Sequence, residues 1–272
     1  MNVALLLDLD ETLIEEDSAA AGAFEATAAF AGACEDRLAD EVALVAAARA
    51  RARELWSTAP SYNYCREIGI SSTEGLWCRF EGDDAATTAL RRWAPTYRRA
   101  TWARALEAQG LDDGALAEAL ADRFAAERRA RHRVFADVEP ALAELAKRYS
   151  LALVTNGASC LQQEKLDSSG LRPFFEIVVV SAEFGVGKPD ASIFRHAVSR
   201  LAEPHEQAVM LGDSLTRDID GAQAAGLRAI WINRLGHARP PDRREVAEVS
   251  TLGEAVAMLS NSAFRAAAPA PG

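Results

Sequence analysis

The sequence predicts an α/β protein whose core is a doubly wound parallel sheet, with a helical domain inserted after the first strand. The main observation is a set of five short apolar runs, each continuous rather than alternating, as expected for strands buried on both faces. Helical patterns separate most of these runs, which is typical of a doubly wound, Rossmann-like sheet. A long Ala-, Arg- and Glu-rich stretch at 15–133 contains no convincing strand, which indicates the inserted domain.

The elements follow in chain order. The predicted strands are 3–7, 151–155, 176–180, 208–212 and 228–232. The predicted helices of the core are 138–148, 159–168, 190–201 and 218–225. We therefore expect residues 1–14 and 134–262 to form the core, residues 15–133 the helical domain, and residues 263–272, which include AAAPAPG, a disordered tail.

Composition excludes several classes of function. The chain of 272 residues carries a net charge of −10 and no long basic run, which argues against nucleic-acid and anionic-membrane partners. The four cysteines are scattered without zinc-ligand spacing, which favours reduced thiols in a cytoplasmic protein. No apolar run has the length of a membrane span, and we expect no signal peptide. We expect a monomer or homodimer acting on a small molecule.

Polar side chains follow four of the predicted strands, at the edge of the sheet where function gathers in open α/β folds. They are Asp8, Asp10 and Thr12 after the first strand, Thr155, Asn156 and Gly157 after the second, Lys188 after the third, and Asp213, Ser214 and Asp218 after the fourth. A single D-x-D or T-N-G is ordinary turn chemistry, but four such signals in strand order indicate an active site.

Each of these residue types has a use in phosphoryl transfer. Asp8 could attack phosphorus, and a second carboxyl two residues later, Asp10, could protonate the leaving oxygen. A Thr and backbone N–H groups at a helix start could hold phosphoryl oxygens, while Lys188 supplies positive charge. Asp8 and Asp213 could share Mg²⁺, which prefers oxygen ligands.

The charge balance makes a divalent cation part of this hypothesis. Four carboxylates in one crevice would face a single Lys, and like charges ~4 Å apart cost on the order of 4 kcal/mol per pair at an effective dielectric of 20. A phosphate dianion would not enter such a site without a metal.

The run GVGK is not a phosphate-binding loop, because Ala182 and Pro189 occupy positions where that motif requires Gly and Ser or Thr. No G-x-G-x-x-G follows the first strand, which disfavours a dinucleotide cofactor.

The chain resembles the haloacid dehalogenase superfamily, and within it the phosphatases with a helical cap inserted after the first strand. The matching motifs are DLDET at 8–12, TNG at 155–157, GVGKPD at 185–190 and GDSLTRDIDGA at 212–222. The stretches 54–80, 153–166 and 188–194 look most similar to N-acylneuraminate-9-phosphatases and nucleotide phosphatases. The resemblance implies a Mg²⁺-dependent phosphatase with a sugar phosphate or nucleotide as substrate.

The resemblance also implies a role for each matched residue. Asp8 would be the nucleophile that becomes an aspartyl-phosphate, and Asp10 the general acid and base, which also lends its backbone carbonyl to Mg²⁺. Lys188 would neutralise the phosphoryl group and orient Asp8, while Asp213 ligates the metal. Thr155 and Asn156 would bind the phosphoryl group with Gly157 beside them. Asp218, Ser214 and Thr12 would position the residues that contact the substrate and the metal, without contacting either themselves.

Alternative functions differ in the leaving group or the acceptor. Dehalogenases of this superfamily lack an acid at the position of Asp10, because a halide needs no proton, so Asp10 favours phosphate esters over 2-haloacids. A phosphomutase would use the same nucleophile but return phosphate to a sugar. A receiver-like phosphoacceptor module is disfavoured, because its acid pair precedes the phosphorylated Asp and its length is near half of this chain.

The inserted domain is expected to select the substrate. Its segment 54–80 is rich in aromatic and polar residues, which are Trp56, Tyr62, Asn63, Tyr64, Arg66, Trp77 and Arg79. One interpretation is that the aromatic side chains fill a small helical core. The other is that Asn63 and Arg66 or Arg79 contact the leaving group.

Overall fold

The core of the protein is a six-stranded, all-parallel sheet. The computed structural model describes residues 3–35, 38, 40–202, 207–243 and 245–261. The strands are β1 (Val3–Leu7), β2 (Ser150–Thr155), β3 (Ile177–Val180), β4 (Gln207–Gly212), β5 (Arg228–Ile232) and β6 (Ala247–Val249). Their order across the sheet is β3-β2-β1-β4-β5-β6, which places β1 at the centre. The prediction of a parallel, doubly wound sheet is confirmed.

Twelve α-helices occur among the described residues. They are α1 (Glu16–Cys34), α2 (Glu41–Trp56), α3 (Tyr62–Ile68), α4 (Ser72–Gly75), α5 (Ala85–Glu107), α6 (Gly114–Arg129), α7 (Val138–Leu145), α8 (Ser159–Ser169), α9 (Ser181–Phe184), α10 (Ala191–Arg200), α11 (Gly221–Ala224) and α12 (Leu252–Ser260). A π-helical turn at Leu215–Asp220 precedes α11. Among the residues that the structure describes, no helix combines the length and the hydropathy of a membrane span.

Helices cover both faces of the sheet because successive side chains of a buried strand point in opposite directions. Leu5 and Leu7 of β1 belong to a core cluster that includes residues of α7, α8 and α12. Ala4 and Leu6 belong to a cluster on the other face that includes residues of α10. With both faces covered, the functional groups of the core are left to the ends of the strands.

The chain forms two compact units. One consists of residues up to Glu15, Arg133–Gly157 and the chain from Gln162 onward, and it contains the sheet. The other consists of Glu16–His132 and Ala158–Leu161, and it contains α1 to α6. The predicted tail at 263–272 lies outside the described residues.

Aromatic side chains form the interior of the helical unit. Phe24 of α1 lies 4.5 Å from Phe124 of α6 between ring centroids, and Trp56 lies 5.4 Å from Tyr97. Trp56 and Trp77 are buried, which confirms the core-filling interpretation for these two residues. Asn63, Arg66 and Arg79 are exposed, so a role in contacting the leaving group remains a prediction for them.

Candidate active site

The candidate site lies at the carboxyl end of the parallel strands, within the unit that contains the sheet. Asp8 directly follows β1 and is held in line with the sheet, because its N–H donates to the carbonyl of Leu211 at 3.0 Å. Thr12 is fully buried, and its hydroxyl lies 3.4 Å from Oδ2 of Asp8. Arg234 fixes the turn after Asp8 by donating from Nε and Nη2 to the carbonyl of Thr12 at 2.9 and 2.8 Å.

A buried ammonium group joins two of the predicted carboxylates. Nζ of Lys188 lies 2.5 Å from Oδ1 of Asp8 and 2.7 Å from Oδ1 of Asp218. Burial opposes the charged form of Lys188, but the nearby Asp218 and Asp8 outweigh it and raise the pKa of the ammonium. Lys188 is therefore charged at neutral pH, and it orients Asp8 through one oxygen.

Three carboxylates form a potential metal site. Asp8, Asp213 and Asp218 each offer an oxygen within 4.8 Å of the other two. Burial raises the pKa of Asp8 to about 7, and burial together with the charge of Asp8 raises the pKa of Asp213 to about 8. Such crowded oxygen ligands fit a hard divalent cation, which would compensate the charges that burial disfavours.

The π-helical turn brings Asp218 to the site. Its Oδ2 accepts a hydrogen bond from the N–H of Ser214 at 2.9 Å, while Oδ1 contacts Lys188. Gly212, the last residue of β4, leaves the space for this side chain, because a Cβ at residue 212 would lie 2.4 Å from the carboxyl carbon of Asp218. Asp218 thus supports Lys188 and the turn around Asp213.

The side chain of Asn156 orients Lys188 in this structure. Its Nδ2 donates to the carbonyl of Lys188 at 2.9 Å, and its Oδ1 accepts from the N–H of Lys188 at 2.8 Å. Gly157 follows with φ of 141°, and its N–H donates to Oγ of Ser181 at 2.8 Å. Both polar ends of the Asn156 side chain are thus paired with the backbone of Lys188, and the expected contact of Asn156 with the phosphoryl group stays a prediction.

Two functional groups were missed by reasoning from sequence. Lys165 on α8 places Nζ 3.1 and 3.0 Å from the two carboxylate oxygens of Asp10. Gln162, one turn earlier, donates from Nε2 to Oδ2 of Asp10 at 3.0 Å and to the hydroxyl of Thr155 at 3.1 Å. The spacing of Gln162 and Lys165 behind the T-N-G motif is the signal that could have identified them, because residues three apart share one face of a helix.

Lys165 corrects the predicted charge balance. The sequence suggested four carboxylates against a single Lys, whereas the part of the chain that the structure describes brings two ammonium groups to these carboxylates, Lys188 and Lys165. Four carboxylates and two ammonium groups leave a formal charge of −2. A divalent cation would bring that charge to zero before a phosphate enters, so the argument for a metal is retained.

The exposed fractions distinguish the two acids of the D-x-D motif. The side chain of Asp8 is 9% exposed, whereas that of Asp10 is 26% exposed. Asp213 and Ser214 are half-buried, and Thr155 is buried. Asn63 and Arg66 belong to the helical unit, on α3. The structure thus brings the predicted core residues together at one edge of the sheet.

Comparisons with known proteins show which proteins this chain is similar to. A family described as "haloacid dehalogenase-like hydrolase" matches residues 3–226. A phosphoserine phosphatase from Thermus thermophilus is 38% identical over 241 residues, which cover 88% of this chain and 90% of the relative.

Two further matches are a shorter similarity in sequence and a similarity in fold. An N-acylneuraminate-9-phosphatase from Mus musculus is 39% identical over 110 residues, or 40% of this chain and 44% of the relative. A solved structure of a 2-haloacid dehalogenase from Pseudomonas syringae superposes with a TM-score of 0.57 at 28% identity, covering 95% of this chain and 98% of the other. The fold is therefore shared by proteins named for phosphate and for halide chemistry.

Proposed function

The chain belongs to the haloacid dehalogenase-like hydrolases and is a phosphatase, and we propose that it hydrolyses phosphomonoesters with Mg²⁺ through an aspartyl-phosphate on Asp8. The observation that carries the proposal is the position of Asp8. One of its oxygens is paired with buried Lys188, and its carboxylate also belongs to the cluster with Asp213 and Asp218. A nucleophile, a neutralising cation and a set of metal ligands thus meet at one side chain.

The residues of the site account for formation of the aspartyl-phosphate. A carboxylate oxygen of Asp8 forms a bond to phosphorus while the bond from phosphorus to the ester oxygen breaks. Asp10 protonates that departing oxygen, and Lys188 offsets charge on the phosphoryl group, with the Thr155 hydroxyl as a further contact. Asp8 and Asp213 and the carbonyl of Asp10 would hold Mg²⁺, which supplies charge stabilisation for the phosphoryl oxygens.

The second step returns the enzyme to its starting state. Asp10 takes a proton from water as the water oxygen bonds to phosphorus, and the bond from phosphorus to Asp8 breaks. Inorganic phosphate leaves, and Asp8 is a carboxylate again. Asn156 keeps Lys188 in place during both steps through its paired contacts with the Lys188 backbone.

We further propose phosphoserine as the first substrate to test. The phosphoserine phosphatase match extends over nearly the whole of both chains, whereas the N-acylneuraminate-9-phosphatase match covers 40% of this chain. The phosphoserine phosphatase match therefore includes most of the helical unit. We propose that this unit acts as a cap that selects the substrate, with Asn63 and Arg66 contacting the leaving group. Sugar phosphates and nucleoside monophosphates are the alternatives.

The test is a panel of candidate esters with Mg²⁺ and a colorimetric phosphate readout. It contains phosphoserine, N-acylneuraminate 9-phosphate, nucleoside monophosphates and phosphoglycolate, with 2-chloropropionate for halide release and a hexose 1-phosphate for isomer formation. We expect phosphate release, highest with phosphoserine, and none from Asp8→Asn. Halide or isomer without phosphate would identify a dehalogenase or a mutase instead, and phosphate release by Asp8→Asn would exclude Asp8 as nucleophile.

A further inference from the structure

We propose that Lys165 and Gln162 are positioning residues that hold the carboxylate of Asp10 for proton transfer and couple it to Thr155. The inference rests on the proposed function, because it concerns the acid and base of that reaction. The two side chains direct hydrogen bonds to Asp10 from one face of α8, where both are buried at 0% and 1% exposure.

Asp10 needs such support because the sheet does not supply it. The residue lies beyond the end of β1, in a turn whose next residue, Glu11, has a positive φ of 57°. The turn closes through the N–H of Glu11, which donates to the carbonyl of Ile14 at 2.9 Å. The backbone is thereby fixed, but the partly exposed side chain of Asp10 could still rotate. Lys165 contacts both of its oxygens and Gln162 one of them, which selects a single orientation.

Gln162 connects the acid to the phosphoryl-binding strand end. Its Nε2 contacts Asp10 and the Thr155 hydroxyl, and also the carbonyl of Asn156. The carbonyl of Asn156 can only accept, so the nitrogen of the amide must face it. Gly157 leaves room for this arrangement, since a Cβ at residue 157 would lie 2.8 Å from Nε2 of Gln162.

Both residues are costly choices if their only task is to stabilise the fold. A buried ammonium must be desolvated, and apolar replacements of buried ion pairs are often neutral or stabilising. Among the described residues, none donates a hydrogen bond to the buried Oε1 of Gln162, which is an additional penalty. Leu or Met would fill these positions without that cost, so a task at Asp10 accounts better for their presence.

The proposal predicts a dependence on the leaving group. An alkyl oxygen must be protonated as it departs, so an alkyl phosphate requires a correctly held Asp10 in the first step. The p-nitrophenolate ion departs without a proton, so p-nitrophenyl phosphate requires Asp10 only when water attacks the aspartyl-phosphate. A residue that merely stabilises the fold would affect both esters in the same proportion.

The experiment compares Lys165→Met with the wild-type enzyme, both loaded with Mg²⁺, on phosphoserine and on p-nitrophenyl phosphate. For phosphoserine, or the best alkyl ester of the panel, we expect kcat to fall by about 10–100-fold with KM within about threefold. For p-nitrophenyl phosphate we expect a rapid stoichiometric burst of nitrophenolate, followed by slow turnover. Gln162→Leu should show the same pattern with a smaller loss in kcat, and Lys165→Arg should retain part of the activity that Lys165→Met loses.

Matched controls separate this role from general effects of charge or volume. Lys147→Met removes an exposed Lys paired with Glu144, and Gln163→Leu removes the neighbouring amide on α8, which contacts Glu183. Both should behave as wild type, and melting temperatures of all variants identify those that do not fold. Gln162→Leu and Lys165→Arg keep the comparison possible if Lys165→Met is unfolded.

The results distinguish this inference from the proposed function. An unchanged kcat in Lys165→Met and Gln162→Leu, or equal losses in the burst and in alkyl-ester turnover, would overturn the positioning role while the phosphatase stands. A wild-type enzyme that releases phosphate from no ester would overturn the proposed function itself, and this inference with it.

Discussion

Lys188 offers the most informative substitution, because one ammonium group neutralises two buried carboxylates. Its Nζ lies 2.5 Å from Asp8 and 2.7 Å from Asp218, and all three side chains are at most 9% exposed. Lys188→Met keeps much of the side-chain volume and removes the charge. We expect Lys188→Met to lower both the free energy of unfolding and kcat.

The size of the stability loss follows from the charges left behind. Oxygens of Asp8 and Asp218 lie within 4.8 Å of each other. At an effective dielectric of 20, their uncompensated repulsion is at least about 3 kcal/mol. Removing one partner of a buried ion pair costs about 3–5 kcal/mol by general experience, which is the same range. We expect the free energy of unfolding of the metal-free protein to fall by at most this amount at about pH 8, because part of the repulsion is relieved where Asp8 keeps its proton.

The loss should be smaller at lower pH. The pKa of Asp8 is already raised to about 7 by burial, and without Lys188 it would rise further. At about pH 5 the Asp8 carboxyl is protonated, and the repulsion with Asp218 largely disappears. In the presence of Mg²⁺, kcat should fall by about 10²–10³-fold, the loss typical for one preorganised charge-stabilising contact.

Urea titrations in EDTA at two pH values, with steady-state kinetics in Mg²⁺, measure these effects. The double variant Lys188→Met, Asp218→Asn removes the repulsion as well as the pair, so it should recover stability at about pH 8 but not activity. Lys147→Met is the control for loss of an exposed ammonium. Wild-type stability and wild-type kcat in Lys188→Met would refute the assignment of Lys188 to the site.

The remaining predictions concern the carboxylate cluster and the space it occupies. Burial raises the pKa of Asp8 to about 7 and that of Asp213 to about 8. Both carboxyls are therefore neutral at low pH in the folded protein, and their contribution to the free energy of unfolding is lost as the pH rises through those values. The melting temperature in EDTA should therefore fall between about pH 5 and 8. Mg²⁺ should restore the melting temperature mainly near pH 8. A melting temperature that changes neither with pH nor with Mg²⁺ would contradict this prediction. Gly212→Ala should cost about 1–3 kcal/mol in urea unfolding and most of the activity, because its methyl would meet the carboxyl of Asp218. Gly253→Ala should cost nothing, because among the described residues its Cβ would meet Thr251 alone within 4 Å, at 3.8 Å. Equal losses in the two variants would exclude this explanation.

The sheet could be predicted from sequence where burial alone determines it. The strands at 3–7 and 228–232 were predicted with the bounds that β1 and β5 have, because apolar residues make up all of the first and all but Arg228 of the second. β6 was missed, since it has three residues and only Val249 is buried. A short edge strand is formed by pairing with β5 rather than by its own composition, and no local pattern reveals that pairing.

The helix predicted at 218–225 differs from the structure for a physical reason. A π-helical turn at Leu215–Asp220 comes first, and α11 begins at Gly221. The wider turn is associated with the contacts of Asp218 to Lys188 and to the N–H of Ser214. These are tertiary contacts, so the spacing of apolar residues in the sequence could not indicate the extra residue in the π-helical turn.

The site was predictable where its residues follow strand ends, and not where they lie within a helix. Asp8, Asp10 and Lys188 stand out because polar residues after apolar runs are easily recognised. Gln162 and Lys165 belong to a mostly polar helix, where such residues usually face solvent. Their spacing shows that they share one face of α8, but the position of α8 against the turn after β1 is needed to show that this face is directed at Asp10. The same limit applies to Asn156, whose partner is the backbone of a residue far away in sequence.

The most direct test of the central claim is to trap the phosphorylated nucleophile. Asp10→Asn removes the base that activates water, so the aspartyl-phosphate formed from p-nitrophenyl phosphate should accumulate. After an acid quench, peptide mass spectrometry should find the phosphoryl group on Asp8, and none in Asp8→Asn treated in the same way. A phosphoryl group on another residue, or turnover with no covalent adduct under single-turnover conditions, would contradict the account.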